Sequence, residues 1–254
     1  MSLIAHYPLN DNAASSAVSD AYGSNNGVYY AGAGVQNTST GTSVGIINRA
    51  LEFDGVNEYV SIADNIVFTP ALTPFSISAW VNMDDATTFS IANKGVYNTD
   101  AEWGFRCDSF DKIHALVYDE SVANCFIGRN SSVALTGYEG IWIHLVMTYT
   151  GGTASSSAKI YLNGVQVDDT NVELNQASFV AVENLAGNVI IGGYIADYSD
   201  GQIDNVMFFN HELSLEEVER LYNNGSGTEN GGDIDEKISP RRLETAKMPT
   251  RIRY

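Results

Sequence analysis

Residues 50–60 read Ala50-Leu-Glu-Phe-Asp-Gly-Val-Asn-Glu-Tyr-Val60, and this stretch predicts two strands joined by a tight turn. Leu51 and Phe53 alternate with more polar residues, as expected for a strand that buries one face. Asp54-Gly55 favours a short hairpin turn, because both residues tolerate positive φ angles. Apolar residues return at the end of the stretch. It therefore predicts a β-hairpin in an antiparallel sheet.

The same alternation extends outward along the chain. Phe75–Met83 carries apolar residues at every second position, and Trp142–Tyr149 repeats the pattern. Within Lys159–Val167, Asn163-Gly164 stands between alternating apolar residues, which is the strongest short sequence signal for a hairpin. Further strands are predicted at Leu3–Leu9, Gly27–Tyr30, Phe89–Lys94, Trp103–Asp108, Lys112–Tyr118, Asn124–Arg129, Val189–Gly192 and Gln202–Phe209.

One helix is predicted near the C-terminus. Ser214 has the character of an N-cap, and Glu217 completes a capping box three residues later. Apolar residues follow at helical spacing, which predicts a helix that packs one face on the sheets. These residues are Leu215, Val218, Leu221 and Tyr222.

Several of these stretches resemble the laminin G-like, concanavalin A-like family of lectin and glucanase domains. The similar pieces occur in the family's order: Ala50–Val60, Phe75–Val81, Trp142–Tyr149, Lys159–Val165, Gly201–Val206 and the helix Leu213–Tyr222. The resemblance covers about residues 3–222 and implies a jelly roll of two antiparallel sheets. It also implies a mostly non-catalytic range of roles, including glycan-binding modules, adhesion modules and accessory domains on enzymes and virion proteins.

The expected fold class is therefore all-β, a two-sheet antiparallel jelly-roll sandwich with one short C-terminal helix and an extended tail. Residues 1–224 are predicted to form the sandwich. Residues 225–236 are rich in Gly, Asn and Asp and are predicted to be a linker, and residues 237–254 a basic tail. A length of 254 residues is compatible with a single all-β domain.

Charge restricts the partners. The net charge of −18 disfavours nucleic acid and anionic lipid, because both repel an acidic surface. No stretch approaches the ~20 apolar residues of a membrane helix, so membrane insertion is not expected. No signal peptide is visible. The expected location is a virion or cell surface, or otherwise the extracellular space after processing.

The tail has the opposite charge. It contains a single acid, Glu244, beside six of the 13 basic residues: Lys237, Arg241, Arg242, Lys247, Arg251 and Arg253. Cations on an extended segment form charge-assisted bonds with acidic partners. The tail is therefore predicted to dock onto an acidic protein surface or larger assembly such as a virion, and a symmetric homo-oligomer is the default expectation for a shell protein.

A structural calcium ion is the cofactor that the resemblance implies, near the junction of the N-terminal loops and the last strand. The matching oxygens belong to Asp20, Asn25 and Asp204. Calcium takes six to eight oxygen ligands, so three side chains alone are insufficient. The alternative is that Asp20 is a turn residue and Asp204 a hydrogen-bonding residue at a strand end.

Loop aromatics are the predicted glycan-binding residues. Aromatic rings stack on the C–H faces of sugars, while side-chain amides hydrogen-bond to hydroxyls. The alternative for each residue is burial in the core. The candidates are Tyr97, Trp103, Tyr118, Tyr194 and Tyr198.

Catalysis is not expected. Some hydrolases of this fold use a Glu-x-Asp-x-x-Glu strand and alginate-lyase-like sheets use Arg-x-Glu-x-Arg, and neither string occurs. The four histidines have no partner at metal or triad spacing. Cys107 and Cys125 are interpreted as free thiols, with a disulfide as the alternative. The predicted function is non-catalytic recognition or surface decoration. The alternatives are a carbohydrate-binding module of a secreted protein or enzyme, and a glycan hydrolase or lyase.

Overall fold

The protein is described here by a computed structural model covering residues 3–229 and 231. These residues are mostly β-structure, as alternating apolar residues and frequent turn residues require. Within this range the strands are β1 (Leu3–Tyr7), β2 (Ala17–Val18), β3 (Gly27–Ala31), β4 (Gly34–Val35), β5 (Thr42–Val44), β6 (Arg49–Asp54), β7 (Glu58–Ile62), β8 (Phe75–Asp85), β9 (Ser90–Lys94), β10 (Trp103–Cys107), β11 (Ile113–Tyr118), β12 (Phe126–Ser131), β13 (Ile143–Tyr149), β14 (Ala158–Leu162), β15 (Val165–Gln166), β16 (Asp168–Asn171), β17 (Val189–Ile191), β18 (Gly193–Tyr194), β19 (Asp197–Tyr198) and β20 (Asp200–Phe209).

The helical segments are short. The α-helix of the described range is α1 (Leu215–Tyr222), and 3-10 turns occur at Ile66–Phe68, Leu135–Tyr138, Ser155–Ser157, Gln176–Ser178 and Asn223–Gly225. No helix among the described residues is both long and apolar enough to cross a bilayer.

Two antiparallel sheets form the sandwich. Sheet I has the strand order β15-β14-β13-β8-β20-β6-β5, with β1 also paired to β20. Sheet II has the order β16-β12-β11-β10-β9-β17-β7-β3-β2, with β4 paired to β3. Strands β18 and β19 form a separate two-stranded ribbon. The predicted jelly-roll sandwich is confirmed.

The main core lies between the inner faces of the sheets. Strand alternation sends every second side chain inward, and aromatic rings fill the centre. Phe208 of β20 lies edge-on to Tyr7 and Phe68, with ring centroids 6.0 and 5.3 Å away. Trp103 of β10 reaches the same ring from sheet II at 5.8 Å. The last strand of sheet I and the middle of sheet II are thereby locked together.

Helix α1 covers the outer face of sheet I. Ser214 and Glu217 form the predicted capping box, while Val218 and Leu221 join a second cluster with Leu3, Val146 and Phe209. The ring of Tyr222 stacks on Trp80 at 5.7 Å. Both faces of β8 are therefore buried, although its sequence alternates like that of a strand with one exposed face.

The start of the predicted linker lies against the sandwich. The Asn205 amide donates to the backbone oxygen of Thr228 at 2.8 Å, and the Asn10 amide donates to Glu229 at 2.8 Å. Residues 232–236 and the basic tail lie outside the described residues. Cys107 and Cys125 are buried free thiols near opposite ends of β11. Cys107 of β10 lies opposite Ile113, the first residue of β11. The Cys125 backbone oxygen accepts from the N–H of Asp119, the residue after β11.

Candidate functional site

The outer face of sheet II carries a group of polar and aromatic side chains. In β10, Phe105 and Cys107 point into the core, so Gly104 and Arg106 face outward. In β11, Leu116 and Tyr118 face outward and pack in a small cluster separate from the core. No helix among the described residues covers this face as α1 covers sheet I. Leu116 and Tyr118 are nevertheless buried, because Tyr97 and Phe126 pack against them.

A tyrosine pocket opens on this face, with a cavity of about 180 Å³. Tyr59 stacks almost parallel on Tyr30, with centroids 5.1 Å apart and planes at 8°. The Tyr198 ring lies 6.2 Å from the Tyr59 ring, with the two planes tilted by 33°. The pocket is lined by Gly32, Tyr59, Ile190, Gly193, Tyr194, Ile195 and Tyr198.

The β18–β19 ribbon positions half of the pocket. Gly193 pairs with Tyr198 and Tyr194 with Asp197, which places both tyrosines at the pocket. Gly192 just before the ribbon has φ +80°, and a Cβ there would lie 2.4 Å from the Phe53 ring. A side chain at this position is therefore excluded by both backbone angle and space.

A second feature, the Gly104 cradle, adjoins the pocket. It consists of Asn93, Gly104, Arg106 and Tyr118 on three neighbouring strands. A Cβ added to Gly104 would lie 3.0 Å from Asn93 Oδ1, 3.5 Å from Tyr118 Oη and 3.8 Å from Arg106 Nε. Three hydrogen-bonding atoms thus converge above a residue without a side chain.

Hydrogen bonds orient the side chains of the cradle. The Asn93 amide nitrogen donates to Gly193 O at 3.3 Å and to Ser90 Oγ. Its Oδ1 is buried without a partner, and so is Arg106 Nε. Burial raises the pKa of Tyr118 to about 12, so its hydroxyl stays neutral.

Tyr194 connects the two features. The Arg106 guanidinium lies over its ring at 4.1 Å from the centroid, a cation–π contact. The Tyr194 hydroxyl accepts the backbone N–H of Tyr97 at 3.1 Å, and the Tyr97 ring lies 5.4 Å from that of Tyr118. The structure therefore brings Tyr97, Tyr118, Tyr194 and Tyr198 to one face, where Tyr97 and Tyr198 are half-buried and Tyr118 and Tyr194 are buried.

Trp103, one of the predicted glycan-binding aromatics, lies in the core. It is 1% exposed, and its indole N–H donates to Phe68 O at 2.8 Å within the core. It precedes Gly104 by one residue, so strand alternation sends it to the opposite face of sheet II from the pocket. The prediction that Trp103 stacks on a glycan is wrong.

Sequence reasoning missed four contributors: Tyr30, Tyr59, Asn93 and Arg106. Tyr59 and Arg106 had a usable signal, because each alternates with residues that face the core. Asn93 had none, because a bulge between β9 and β10 shifts the register there and places Ala92 and Ile91 both in the core.

The predicted calcium ligands are engaged by the protein itself. Burial alone would raise the pKa of Asp20, but backbone N–H donors from Gly23, His6, Asn25 and Tyr22 outweigh it and hold the pKa below its usual value. The Asn25 amide oxygen accepts from Asn65 at 2.9 Å.

Asp204 differs from the other two. Its Oδ2 accepts the Ile47 N–H at 3.0 Å, while its Oδ1 is buried without a partner. Burial raises the pKa of Asp204 to about 7. The described residues contain no group of three or more His, Cys, Asp or Glu side chains close enough to hold a metal. Of the three predicted ligands, only Asp204 has a side-chain oxygen without a partner, and the calcium site stays a prediction.

Two packed antiparallel sheets in this strand order define a jelly-roll sandwich domain. The sequence model of the concanavalin A-like lectin/glucanases superfamily matches residues 54–219, more than half of the chain. The chain belongs to this family, which confirms the resemblance noted from its strands. No curated protein sequence matches the chain.

Solved structures share the fold. Domain 4 of AbnA, a GH43 extracellular arabinanase from Geobacillus stearothermophilus solved with arabinotriose, superposes with a TM-score of 0.61 at 18% identity, covering 86% of this chain and 97% of that one. The binding domain of Paraclostridial Mosquitocidal Protein 1 gives 0.60 at 16%, covering 88% and 52%.

Trypanosoma rangeli sialidase gives a TM-score of 0.60 at 16% identity, covering 89% of this chain and 33% of the sialidase. This chain thus spans about half of the mosquitocidal binding domain and a third of the sialidase, but nearly all of the arabinanase domain. At these identities the likeness establishes the fold.

Proposed function

We propose that this chain is a non-catalytic glycan-recognition domain that binds saccharide in the tyrosine pocket. The observation that carries the proposal is the side-by-side placement of Tyr59, Tyr194 and Tyr198 around one open cavity. Tyrosine rings offer apolar faces to sugar C–H groups and hydroxyls to sugar oxygens. The arabinanase domain solved with arabinotriose, which matches this chain over almost its whole length, supports a module of this kind.

The pocket lining supports a binding role over a catalytic one. Its described residues are tyrosine, isoleucine and glycine, without Asp, Glu or His. Retaining glycoside hydrolysis needs two carboxyl groups about 5–5.5 Å apart across the scissile bond. A carboxylate pair is therefore missing from the described lining where the sugar would lie.

A glycan array followed by calorimetry tests the proposal. Tyr59→Ala and Tyr198→Ala should each weaken binding of the selected glycan at least about tenfold, because anchoring aromatics dominate such interfaces. Tyr22→Ala is the matched control, since Tyr22 is an exposed tyrosine that does not line the pocket. Undiminished binding by both pocket variants would refute the site, and new reducing ends after incubation would refute the non-catalytic role.

A further inference from the structure

We propose that the tyrosine pocket is one end of a longer groove, and that the ligand is a neutral oligosaccharide held along several of its sugar units. The inference rests on the proposed function, since it assigns the length and charge of the glycan that the pocket takes. A second cavity of about 330 Å³ forms the other end. Its lining includes Gly95, Val96, Asp100, Gly187, Asn188 and Ile190.

Ile190 joins the two cavities, because it lines both of them. Its neighbours Val189 and Ile191 belong to the core, so strand alternation places the Ile190 side chain on the outer face of sheet II. This side chain is only half-buried, and a ligand on this face can contact it. The two cavities therefore open on the same face, and together they form what we call the β17 groove.

Tyr194 and the loop 95–100 make one continuous side of the β17 groove. Tyr194 lines the tyrosine pocket, and Val96 lines the second cavity with a side chain that is 38% exposed. The backbone N–H of Tyr97, the residue after Val96, donates to Tyr194 Oη at 3.1 Å. This bond ties the loop to the ring, so the side of the groove continues from one cavity to the next.

Strand β17 sets the length of the groove. Asn188 precedes the strand and lines the second cavity, while Gly192 follows it and comes just before the pocket residue Gly193. A rise of about 3.3 Å per residue places Asn188 and Gly192 about 13 Å apart. A single sugar ring is shorter than this distance. A ligand that contacts both ends of the groove therefore has several linked sugar units.

The second cavity offers hydrogen-bonding side chains, whereas the tyrosine pocket offers rings. The exposed Asn188 amide donates to Ser61 Oγ at 3.1 Å and accepts the Asp64 N–H at 3.2 Å. These bonds orient the amide, which has a second N–H hydrogen and a second lone pair for a ligand. Asp100 is half-buried, and its Oδ1 accepts the Val96 N–H at 2.8 Å. Sugar hydroxyls both donate and accept, so they match the amide and the carboxylate.

The charge of the β17 groove favours a neutral glycan. The described residues that line its two cavities include no Lys or Arg, and Asp100 places a carboxylate in the second cavity. The net charge of −18 adds a repulsion that an acidic polysaccharide would meet along its whole length. We therefore expect neutral sugar units at both ends of the groove.

Calorimetry with oligosaccharides of increasing length tests the inference on the full chain. The probes are the monosaccharide, disaccharide and tetrasaccharide of the xylan, cellulose and arabinan series, with tetragalacturonate as the acidic comparison. In the series that binds, the tetrasaccharide should bind roughly tenfold or more tightly than the monosaccharide, because it adds contacts in the second cavity. Tetragalacturonate should bind more weakly than that neutral tetrasaccharide.

Amide NMR spectra locate the added contacts. The monosaccharide should shift the signal of Gly193 at the tyrosine pocket. The tetrasaccharide should also shift the signals of Gly95, Gly187 and Asn188, which line the second cavity. Shifts confined to the tyrosine pocket for every chain length would contradict the inference.

Variants of the second cavity test its contribution. Asn188→Ala and Asp100→Asn should each reduce the ratio of tetrasaccharide to monosaccharide affinity at least about threefold, since each removes a hydrogen-bonding group from the cavity. Asn37→Ala is the matched control, because Asn37 is an exposed asparagine that lines neither cavity. Thermal denaturation verifies that each variant is folded.

The outcomes separate this inference from the proposed function. Equal affinity for monosaccharide and tetrasaccharide, both lost in Tyr198→Ala, would overturn the inference and leave the proposed function standing. A gain with length that both second-cavity variants retain would also overturn the inference alone. Binding that Tyr198→Ala does not weaken would overturn both. If none of the three series binds, the inference is wrong, and the glycan array decides the proposed function.

Discussion

Trp103 and Gly104 are adjacent in β10 and yet serve opposite sides of sheet II. The indole of Trp103 packs against Phe75 and Phe208 at 5.6 and 5.8 Å between centroids. Gly104 forms the floor of the cradle on the outside. Because side chains alternate along a strand, one residue step separates a core position from one on the outer face of the sheet.

Replacing Trp103 should affect stability before binding. Trp103→Ala removes a buried aromatic side chain, and we expect a loss of about 3–5 kcal/mol in the free energy of unfolding. Tyr198→Ala, at a half-buried pocket position, should cost about 1 kcal/mol or less. Urea denaturation compares the two. A Trp103 variant that keeps its stability but loses glycan binding would contradict the core assignment.

His144 is a buried titratable group on the outer face of sheet I. It lies 5.1 Å from the Trp80 ring and 2.8 Å from Ser78 Oγ, and burial lowers its pKa to about 3. Its neutral form is therefore favoured in the folded protein, whereas the unfolded chain binds a proton below pH 6.5.

This difference predicts acid sensitivity. Below pH 6.5 the unfolded state binds more protons at His144, so the free energy of unfolding should fall by up to about 1.4 kcal/mol per pH unit toward pH 3. Above pH 6.5 the contribution is constant. His144→Phe should flatten this part of the curve, while Ser78→Ala keeps the imidazole and should keep the slope. Equal slopes for wild type and His144→Phe, from urea denaturation at several pH values, would disprove the prediction.

Calcium stays a prediction, and Asp204 is the residue on which to test it. Saturating calcium should raise the melting temperature, because an ion that binds only the folded state at 100 times its Kd adds about 2.7 kcal/mol. EDTA should reverse the shift, and Asp204→Asn should abolish it. A melting temperature that does not respond to calcium or chelation would reject the site.

At the scale of elements, helix α1 closes the outer face of sheet I. In its capping box the Glu217 N–H donates to Ser214 Oγ at 3.3 Å, and the Ser214 N–H donates to the Glu217 carboxylate at 2.7 Å. The helix is only two turns long, so its formation depends on the cap and on packing rather than on propensity.

Removing the cap should loosen this cover. Ser214→Ala should lower the free energy of unfolding by about 1 kcal/mol, whereas Ser214→Asp, which keeps an oxygen acceptor, should lose much less. Thermal denaturation measures both. If Ser214→Asp lowers the free energy of unfolding as much as Ser214→Ala does, the Ser214 hydroxyl does not act as a helix cap.

The long strands and the helix were predictable because each has its own local pattern. Asn163-Gly164 forms the expected hairpin turn, with φ of 50° and 84°, and the capping box is formed as the sequence indicates. The short strands β2, β4, β5 and β16 were not predicted, since two to four residues are too few for a period. Burial of the outer face of β8 also escaped prediction, because a helix 130 residues later covers it.

The candidate site was predictable only in part. Tyr194 and Tyr198 were predicted from their positions in loops. Their proximity to Tyr59, however, depends on which strands become neighbours in the sheet. Strand β17 lies between β9 and β7 although about 95 residues separate it from β9 in sequence. No local pattern encodes such a pairing, so the cradle of Asn93 and Arg106 becomes visible only in the fold.

At the scale of the whole molecule, the predicted docking role falls on residues 237–254, outside the described range. Truncation after Glu236 removes all six of the tail's cations. If the tail docks onto an acidic assembly, the full chain should co-sediment with it at low salt and the truncated chain should not. Retained association of the truncated chain would refute docking. Glycan binding should be equal in both, because the tyrosine pocket lies within residues 32–198.

Strand β20 runs through the middle of sheet I, although it is the last strand of the sandwich in sequence. It pairs with β6 and β8 through its first half and with β1 and β8 through its second half. During synthesis β1, β6 and β8 must therefore wait for residues 200–209 to leave the ribosome. Such distant pairings make folding slow and expose unpaired strand edges meanwhile. We therefore expect a nascent chain stalled before Asp200 to be prone to aggregation rather than to form a smaller version of the domain.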